Sequence, residues 1–315
     1  MRKIVAGLAI SLGGVAEPPR IGGSATGTSG QEGCPMAELR TLMSGLVFGE
    51  QPRWHEGRLW FSDWGTQEVI AVDPGGHSEV ILRGPLCVDW LPDGHLLVVS
   101  ARDGLLLRRE HDGSLVTHGD LKAASDPPAV NELVVDGRGN AYVNGGGFNM
   151  VAGEEFAPGV ITLVAPDGSA RQVAGGLAFP NGMLVMPGGS TLIVAESYAG
   201  RLTAFGIDAD GGLSNRRVWA DLGDGVPDSI CADAENAVWY ADVPNKRCVR
   251  VREGGQVAET IGLDRGCFAC ALGGADGTTL FMLAQEWSGP ANMFKGPRSG
   301  LVLTTEAPAP RAGWP

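Results

Sequence analysis

Positive charge is scarce in this chain of 315 residues: Lys and Arg total 24 against 36 Asp and Glu, a formal net charge of −12 at pH 7. Nucleic-acid backbones are held by clustered Lys and Arg, so a nucleic-acid partner is excluded. No apolar run approaches the ~18 residues of a membrane-spanning helix, which excludes a membrane partner of that kind. Cysteine is present at six positions but lacks pattern. Cys267 and Cys270 form a single CxxC, without the second pair a zinc ribbon needs and without the βαβ context of a thioredoxin motif. A chain of this length is not a small disulfide-stapled scaffold, so the thiols are expected to be buried and structural.

Glycine, by contrast, is abundant, with 49 residues, about twice the usual ~7% share. There is no collagen period, and 43% of the residues are hydrophobic, enough for a sizeable core. Six short apolar runs each follow a turn-like stretch, which is Asp-Gly, Gly-Gly or Glu-Gly in five cases and Glu-Asn in one. The runs begin at Leu59, Leu96, Ala141, Leu192, Val238 and Leu280, with spacings of 37, 45, 51, 46 and 42 residues. Strand-like runs and glycine turns repeating near this length predict an all-β, six-bladed β-propeller. Ring closure is expected to pair residues near 40–48 with a final strand around Gly300 to Thr305.

Residues 1–38 stand outside the repeat and are expected to form a disordered extension, leaving 39–315 as the propeller. Arg2-Lys3 followed by Ile4 to Ala16 has the form of a weak signal peptide, diluted by glycine and lacking a clear cleavage site. The expectation is a cytoplasmic protein, secretion through that segment being the alternative.

Overlaying the repeats exposes positions that break the apolar pattern. Nine to eleven residues before each run stand Glu50, Cys87, Asn131, Asn181, Asp228 and Cys270. In a propeller this segment is the innermost strand, which lines the central channel. Four of the six are oxygen donors, contributed by different blades and brought to one level by closure. Carboxylates and amides buried without partners are costly, and a cation on the axis removes that cost. Oxygen ligands suit Ca²⁺ or Mg²⁺, whereas zinc prefers His or Cys. All five histidines, from His55 to His118, fall in the first two repeats and none at a channel position, so a Ser-His-Asp triad is not expected.

The segments Gly49-Glu50-Gln51-Pro52-Arg53-Trp54-His55, Phe179-Pro180-Asn181-Gly182-Met183, Pro227-Asp228-Ser229 with Ala232-Asp233, and Cys270-Ala271-Leu272-Gly273-Gly274 resemble the senescence-marker-protein/gluconolactonase family, which includes regucalcin. The resemblance covers roughly residues 45 to 305. It implies a propeller with one divalent cation in a central metal-binding channel: calcium first, with Mg²⁺, Mn²⁺ or Zn²⁺ as alternatives. Glu50, Asn181 and Asp228 are the implied metal ligands, and Asn131 contacts substrate or completes the metal shell through water. The implied activity is hydrolysis of lactones, with phosphotriesters as the substrate of some relatives.

Two departures bear on substrate. Sugar-lactone hydrolases of this family carry an Arg two residues before the Asn of this site, where this chain has Ala129, and the stretch Asn144 to Asn149 has no acidic residue. A less polar lactone or ester is therefore expected as the small-molecule partner. Asp228 is the expected catalytic residue, as general base or nucleophile. Phe148, Tyr198 and Trp287 fall in loops after the third, fourth and sixth runs, with Trp64 matching them in the first, and Phe148 and Tyr198 are expected to contact substrate. Trp54, Trp60 and Trp239 are expected in the core. The alternatives are a metal-dependent phosphotriesterase on the same site and a non-catalytic binding propeller.

Overall fold

A computed structural model describes residues 38–84, 87–149, 152–289, 292–293 and 297–314. Except for Glu38, the expected N-terminal extension lies outside these residues. Each of the six apolar runs forms the second strand of a sheet. These strands are Arg58–Asp63, Leu96–Ser100, Ala141–Gly145, Thr191–Glu196, Val238–Asp242 and Thr279–Gln285. Each is paired antiparallel to an innermost strand, respectively Gly49–His55, Cys87–Trp90, Leu133–Val135, Pro180–Val185, Pro227–Asp233 and Gly266–Gly273. Two outer strands complete each of the six blades. Every innermost strand touches the next, and that of blade 6 touches that of blade 1, so the ring is closed.

The turns explain why the repeat reads so clearly. Asn236, the one non-glycine at its place in the turn pattern, takes φ 59, the left-handed conformation that Asn tolerates better than most residues. Burial falls from axis to rim. The innermost strands of blades 4, 5 and 6 are buried at every residue, while the rim strand Ser78–Arg83 is largely exposed. The core is therefore a set of seams between blades. Leu184, Ile193 and Leu202 of blade 4 pack on Ile230, Val238 and Tyr240 of blade 5. Leu59, Phe61 and Ile70 of blade 1 pack on Phe281, Leu283 and Val302 of blade 6. Trp60 and Trp239 are buried as expected, and Trp54 stacks on Phe281 with ring centroids 5.3 Å apart.

Two chain segments lock the ring. Arg40–Leu46 forms the rim strand of blade 6, paired from Arg40 opposite Thr304 to Leu46 opposite Gly300 with two register shifts between, so strands from both ends of the propeller share one sheet. The second segment was not legible in the repeat. Residues 307–314 cross the ends of the innermost strands farthest from Glu50, Asn181 and Asp228. Arg311 and Ala312 pair with Asp233 and Ala232 of blade 5, Arg311 donates to Trp54 O of blade 1 at 3.0 Å, and Trp314 bridges Val185 of blade 4.

The five described cysteines are all buried and free of disulfides. Cys231, Cys248, Cys267 and Cys270 share the seam between blades 5 and 6. No described helix is long and apolar enough to cross a membrane.

Candidate functional site

Glu50, Asn181 and Asp228 occupy the same place in three blades: each is the second residue of its innermost strand. Asn181 and Asp228 lie inside breaks in strand register, between Pro180 and Met183 and between Pro227 and Ile230, and Glu50, itself paired with Ser62, borders the break between Glu50 and Arg53. Such a bulge re-aims side chains out of the regular alternation. Asn131 stands just before Leu133–Val135, where its N–H donates to Asn144 O at 2.8 Å. All four side chains are buried, with Asp228 only 1% exposed.

Hydrogen bonds connect these positions from blade to blade. Asn131 Nδ2 donates to Pro180 O at 3.4 Å, and Asn144 Nδ2 donates to Asn181 O at 2.6 Å. Asn181 Nδ2 lies 3.5 Å from Ser197 Oγ, which donates to Pro227 O at 2.7 Å. Blades 4 and 5 approach so closely here that a Cβ on Gly182 would sit 2.6 Å from both Asp228 O and Ile230 N. Glycine at this position is what lets the strands bearing Asn181 and Asp228 meet.

The electrostatics are one-sided. Burial, then the negative charges of Asp228 and Glu132, pushes the Glu50 carboxyl well above the usual range. Burial, then Glu132, Cys270 and Asp242, does the same to Asp228. Glu50 Oε2 and both oxygens of Asp228 are buried without a hydrogen-bond partner among the described residues. Buried carboxylates left this way are strongly destabilising unless a cation compensates them. Among the described residues no group of three or more His, Cys, Asp or Glu forms a metal site. The available donors are therefore two carboxylates and the amides of Asn181 and Asn131, an all-oxygen set that fits a hard divalent ion rather than zinc.

A second polar layer lies beneath the first and escaped the sequence overlay. Gln51 of blade 1 reaches Glu132 of blade 3, Nε2 to Oε2 2.7 Å, and Arg53 Nη2 donates to Leu133 O at 2.6 Å. Arg53 Nε is 3.9 Å from Asp89 Oδ2 of blade 2. Burial raises the Glu132 carboxyl, with Arg53 and Gln51 opposing it. The available signal was the run Glu50, Gln51, Arg53, too polar for an ordinary core strand.

Cys270 does not join the site. Its Sγ faces Ser229 O at 3.6 Å and Trp239 O at 3.7 Å, inside the seam between blades 5 and 6. A fixed count back from Leu280 fails here because the innermost strand is eight residues long and shifts register between Cys267 and Ala269.

Aromatic rings gather at the ligand-bearing end. Phe179 stacks on Tyr198 at 4.7 Å between centroids, Phe148 lies edge-on to Phe179 at 5.7 Å, and Phe156 lies edge-on to Phe148 at 5.5 Å. On the other side Phe268 meets Phe48 at 4.8 Å and Trp287 at 5.4 Å. Phe148, Tyr198, Trp64 and Trp287 thus belong to or pack on one cluster, as do Phe48, Phe179 and Phe268, which sequence reasoning missed. Phe48 and Phe179 stand two residues before Glu50 and Asn181, a spacing that could have revealed them.

This geometry can be set beside known proteins. The family model described as "SMP-30/Gluconolactonase/LRE-like region" matches residues 48–286. The chain is 26% identical over 278 residues to a 6-deoxy-6-sulfogluconolactonase of Pseudomonas putida, covering 85% of this chain and 94% of that protein. It is 26% identical over 251 residues to regucalcin of Xenopus laevis, covering 74% and 82% respectively. Among solved structures, a calcium-binding protein, regucalcin, from Agrobacterium tumefaciens superposes with a TM-score of 0.73 at 22% identity, covering 88% of this chain and 95% of that one. The chain belongs to the SMP-30/gluconolactonase/LRE-like family.

Proposed function

We propose that the protein is a divalent-metal-dependent lactonase acting on a lactone or ester less polar than a sugar lactone. The observation that carries this reading is the pair of buried carboxylates, Glu50 and Asp228, of which Glu50 Oε2 and both Asp228 oxygens have no partner among the described residues. Glu50, Asn181 and Asp228 would hold the cation, Ca²⁺ in the first instance. A cation bound there supplies Lewis-acid polarisation of the substrate carbonyl. The lactonase named among the relatives and the calcium-binding structural neighbour support the same reading.

In this account Asp228 takes the proton of the attacking water and returns it to the alkoxide released when the ring C–O bond breaks. Both of its oxygens are without a hydrogen-bond partner among the described residues, so the carboxylate would be able to hold a cation and still accept the proton of the water. Direct attack by the Asp228 carboxylate is the competing route and passes through an acyl-enzyme. Asn131 orients the substrate. Phe148 and Tyr198 enclose its apolar part. Ala129 is fully buried and brings no charge to the wall where sugar-lactone hydrolases carry Arg.

Hydrolysis of a panel of alkyl, aromatic and sugar lactones with one phosphotriester tests the proposal, after chelation and after adding back Ca²⁺, Mg²⁺, Mn²⁺ or Zn²⁺. Lactone turnover that disappears and returns with one ion supports it. Turnover confined to the phosphotriester moves the activity to that class, and no turnover from folded protein under any ion leaves a binding propeller.

A further inference from the structure

Three carboxylates outside the ligand set recur at one place in the fold. Asp63, Glu196 and Asp242 end the second strands of blades 1, 4 and 5. Each lies opposite the first residue of its innermost strand: Gly49 faces Asp63, Pro180 faces Glu196, and Pro227 faces Asp242. The next residue in each case is Glu50, Asn181 or Asp228. The second strands of the other blades end in Ser100, Gly145 and Gln285, none of them acidic. Blades carrying a proposed ligand and blades carrying this carboxylate are thus the same three.

Each carboxylate is at most 2% exposed and reaches back across the blade to the backbone leading into the ligand strand. Asp63 accepts from the N–H groups of Val47 and Phe48, both at 3.0 Å. Glu196 accepts from Ala178 N at 2.7 Å, and Asp242 from Val226 N at 3.4 Å. These bonds span 15 to 18 residues, unlike the local turn caps of Asp136 and Asp233. The carboxylates are held from the other side as well. Gly65 N donates to Asp63 at 3.0 Å. Arg201, Thr203 and Arg216 bond Glu196, and Asn245 and Arg247 bond Asp242. Both oxygens of each carboxylate therefore face donors. The isosteric amide must turn its NH₂ onto one of them, and no flip of the amide avoids this.

We propose that Asp63, Glu196 and Asp242 are positioning residues of the metal centre, each fixing the backbone that enters an innermost strand and so the place of the ligand that follows. The inference rests on the metal-dependent reading above. Fixing backbone costs conformational freedom, and charge-assisted bonds from a buried carboxylate hold it more firmly than neutral ones. Asn181 and Asp228 lie inside a bulge and Glu50 at the edge of one, where strand pairing is interrupted on at least one side of the ligand. An external tie at each bulge supplies what the strand pairing lacks.

The test is Asp63→Asn, Glu196→Gln and Asp242→Asn against the controls Asp136→Asn and Asp233→Asn, which remove carboxylates of equal burial from turns remote from the ligands. Ca²⁺ and Mn²⁺ affinities are read by competition with a fluorescent chelator, with melting temperatures taken with and without ion. The expected result is affinity weaker by about 10- to 100-fold in the three positioning variants, the scale of losses when groups supporting a metal ligand are removed. The controls are expected to melt lower yet keep ion affinity within about twofold of wild type, as remote sites act independently. Positioning variants that fold and bind as tightly as the controls overturn the inference alone. Wild-type protein that binds neither ion overturns it together with the proposed function. Where Asp63→Asn fails to fold, the Glu196 and Asp242 variants decide.

Discussion

Asn144 of blade 3 donates from Nδ2 to the main-chain carbonyl of Asn181 in blade 4 at 2.6 Å. Its Oδ1 meanwhile accepts from Glu132 N at 3.2 Å, so one fully buried amide ties the Asn131–Glu132 corner to the strand bearing a proposed ligand. The sequence marks this stretch only by its lack of an acidic residue. An acid at Asn144 would turn an acceptor on the Asn181 carbonyl. Asn144→Asp should therefore lower stability by about 1–3 kcal/mol, the cost of leaving a buried polar group unsatisfied. Chemical denaturation measures it, and an unchanged midpoint rejects the role given to this side chain.

Glu50 and Asp228 set function against stability. Replacing either with its amide removes a buried charge that the ion-free protein cannot satisfy. Asp228→Asn should raise the melting temperature of chelator-treated protein while lowering kcat by about 100-fold or more, the range for loss of a general base. Glu50→Gln should raise it likewise and weaken ion binding. Calorimetry with matched kinetics checks both. A fall in ion-free melting temperature for both variants would show that these carboxylates are satisfied in a way the structure does not display.

Acid should act on the protein through Glu196. Burial opposes its charge, but Ala178 N, Thr203, Arg201 and Arg216 outweigh burial and hold its carboxyl below the ordinary value. A carboxylate lowered in the folded state contributes stability above its unfolded value and loses it as pH falls through the folded one. Glu196→Gln should thus cost most at neutral pH, about 3 kcal/mol, the lower end of the range for broken buried pairs because Arg201 and Arg216 are partly exposed. The difference from wild type should shrink below the usual carboxylate range. Denaturation midpoints from pH 3 to 7 test the sign, and a difference that grows toward acid contradicts it.

Substrate selection should rest on the aromatic wall. Phe148 touches three rings, Phe156, Phe179 and Tyr198. Phe148→Ala should raise KM for alkyl or aromatic lactones by about tenfold, with kcat less affected, because it removes apolar enclosure and leaves the carboxylates in place. Steady-state kinetics on one apolar and one sugar lactone measure the change. An equal effect on both substrates would assign the ring to packing alone.

The propeller was legible because a turn at each blade corner fixes strand two, and its residues remain visible as a turn pattern followed by an apolar run. Counting back nine to eleven residues from that run lands on Glu50, Asn181 and Asp228 because each is the second residue of an innermost strand, at or beside a bulge. It missed at Cys270, where a longer strand breaks register elsewhere. The layer of Gln51, Arg53, Asp89 and Glu132 was hidden for another reason. Its bonds join blades 1 and 3 across the axis over 80 to 82 residues, and no local spacing encodes such a contact. The closing strap of residues 307–314 pairs through too few residues to leave a strand signature. Asp63, Glu196 and Asp242 end second strands, but the backbone they hold lies 15 to 18 residues away, and no local pattern in the sequence marks that contact.

The most direct test is the anomalous difference map of a crystal soaked in Mn²⁺ and, separately, in chelator. The account predicts one strong Mn²⁺ peak on the channel axis within coordinating distance of Glu50, Asn181 and Asp228, absent after chelation. Well-ordered density for all three side chains with no peak between them, or a peak held by other residues, would contradict it.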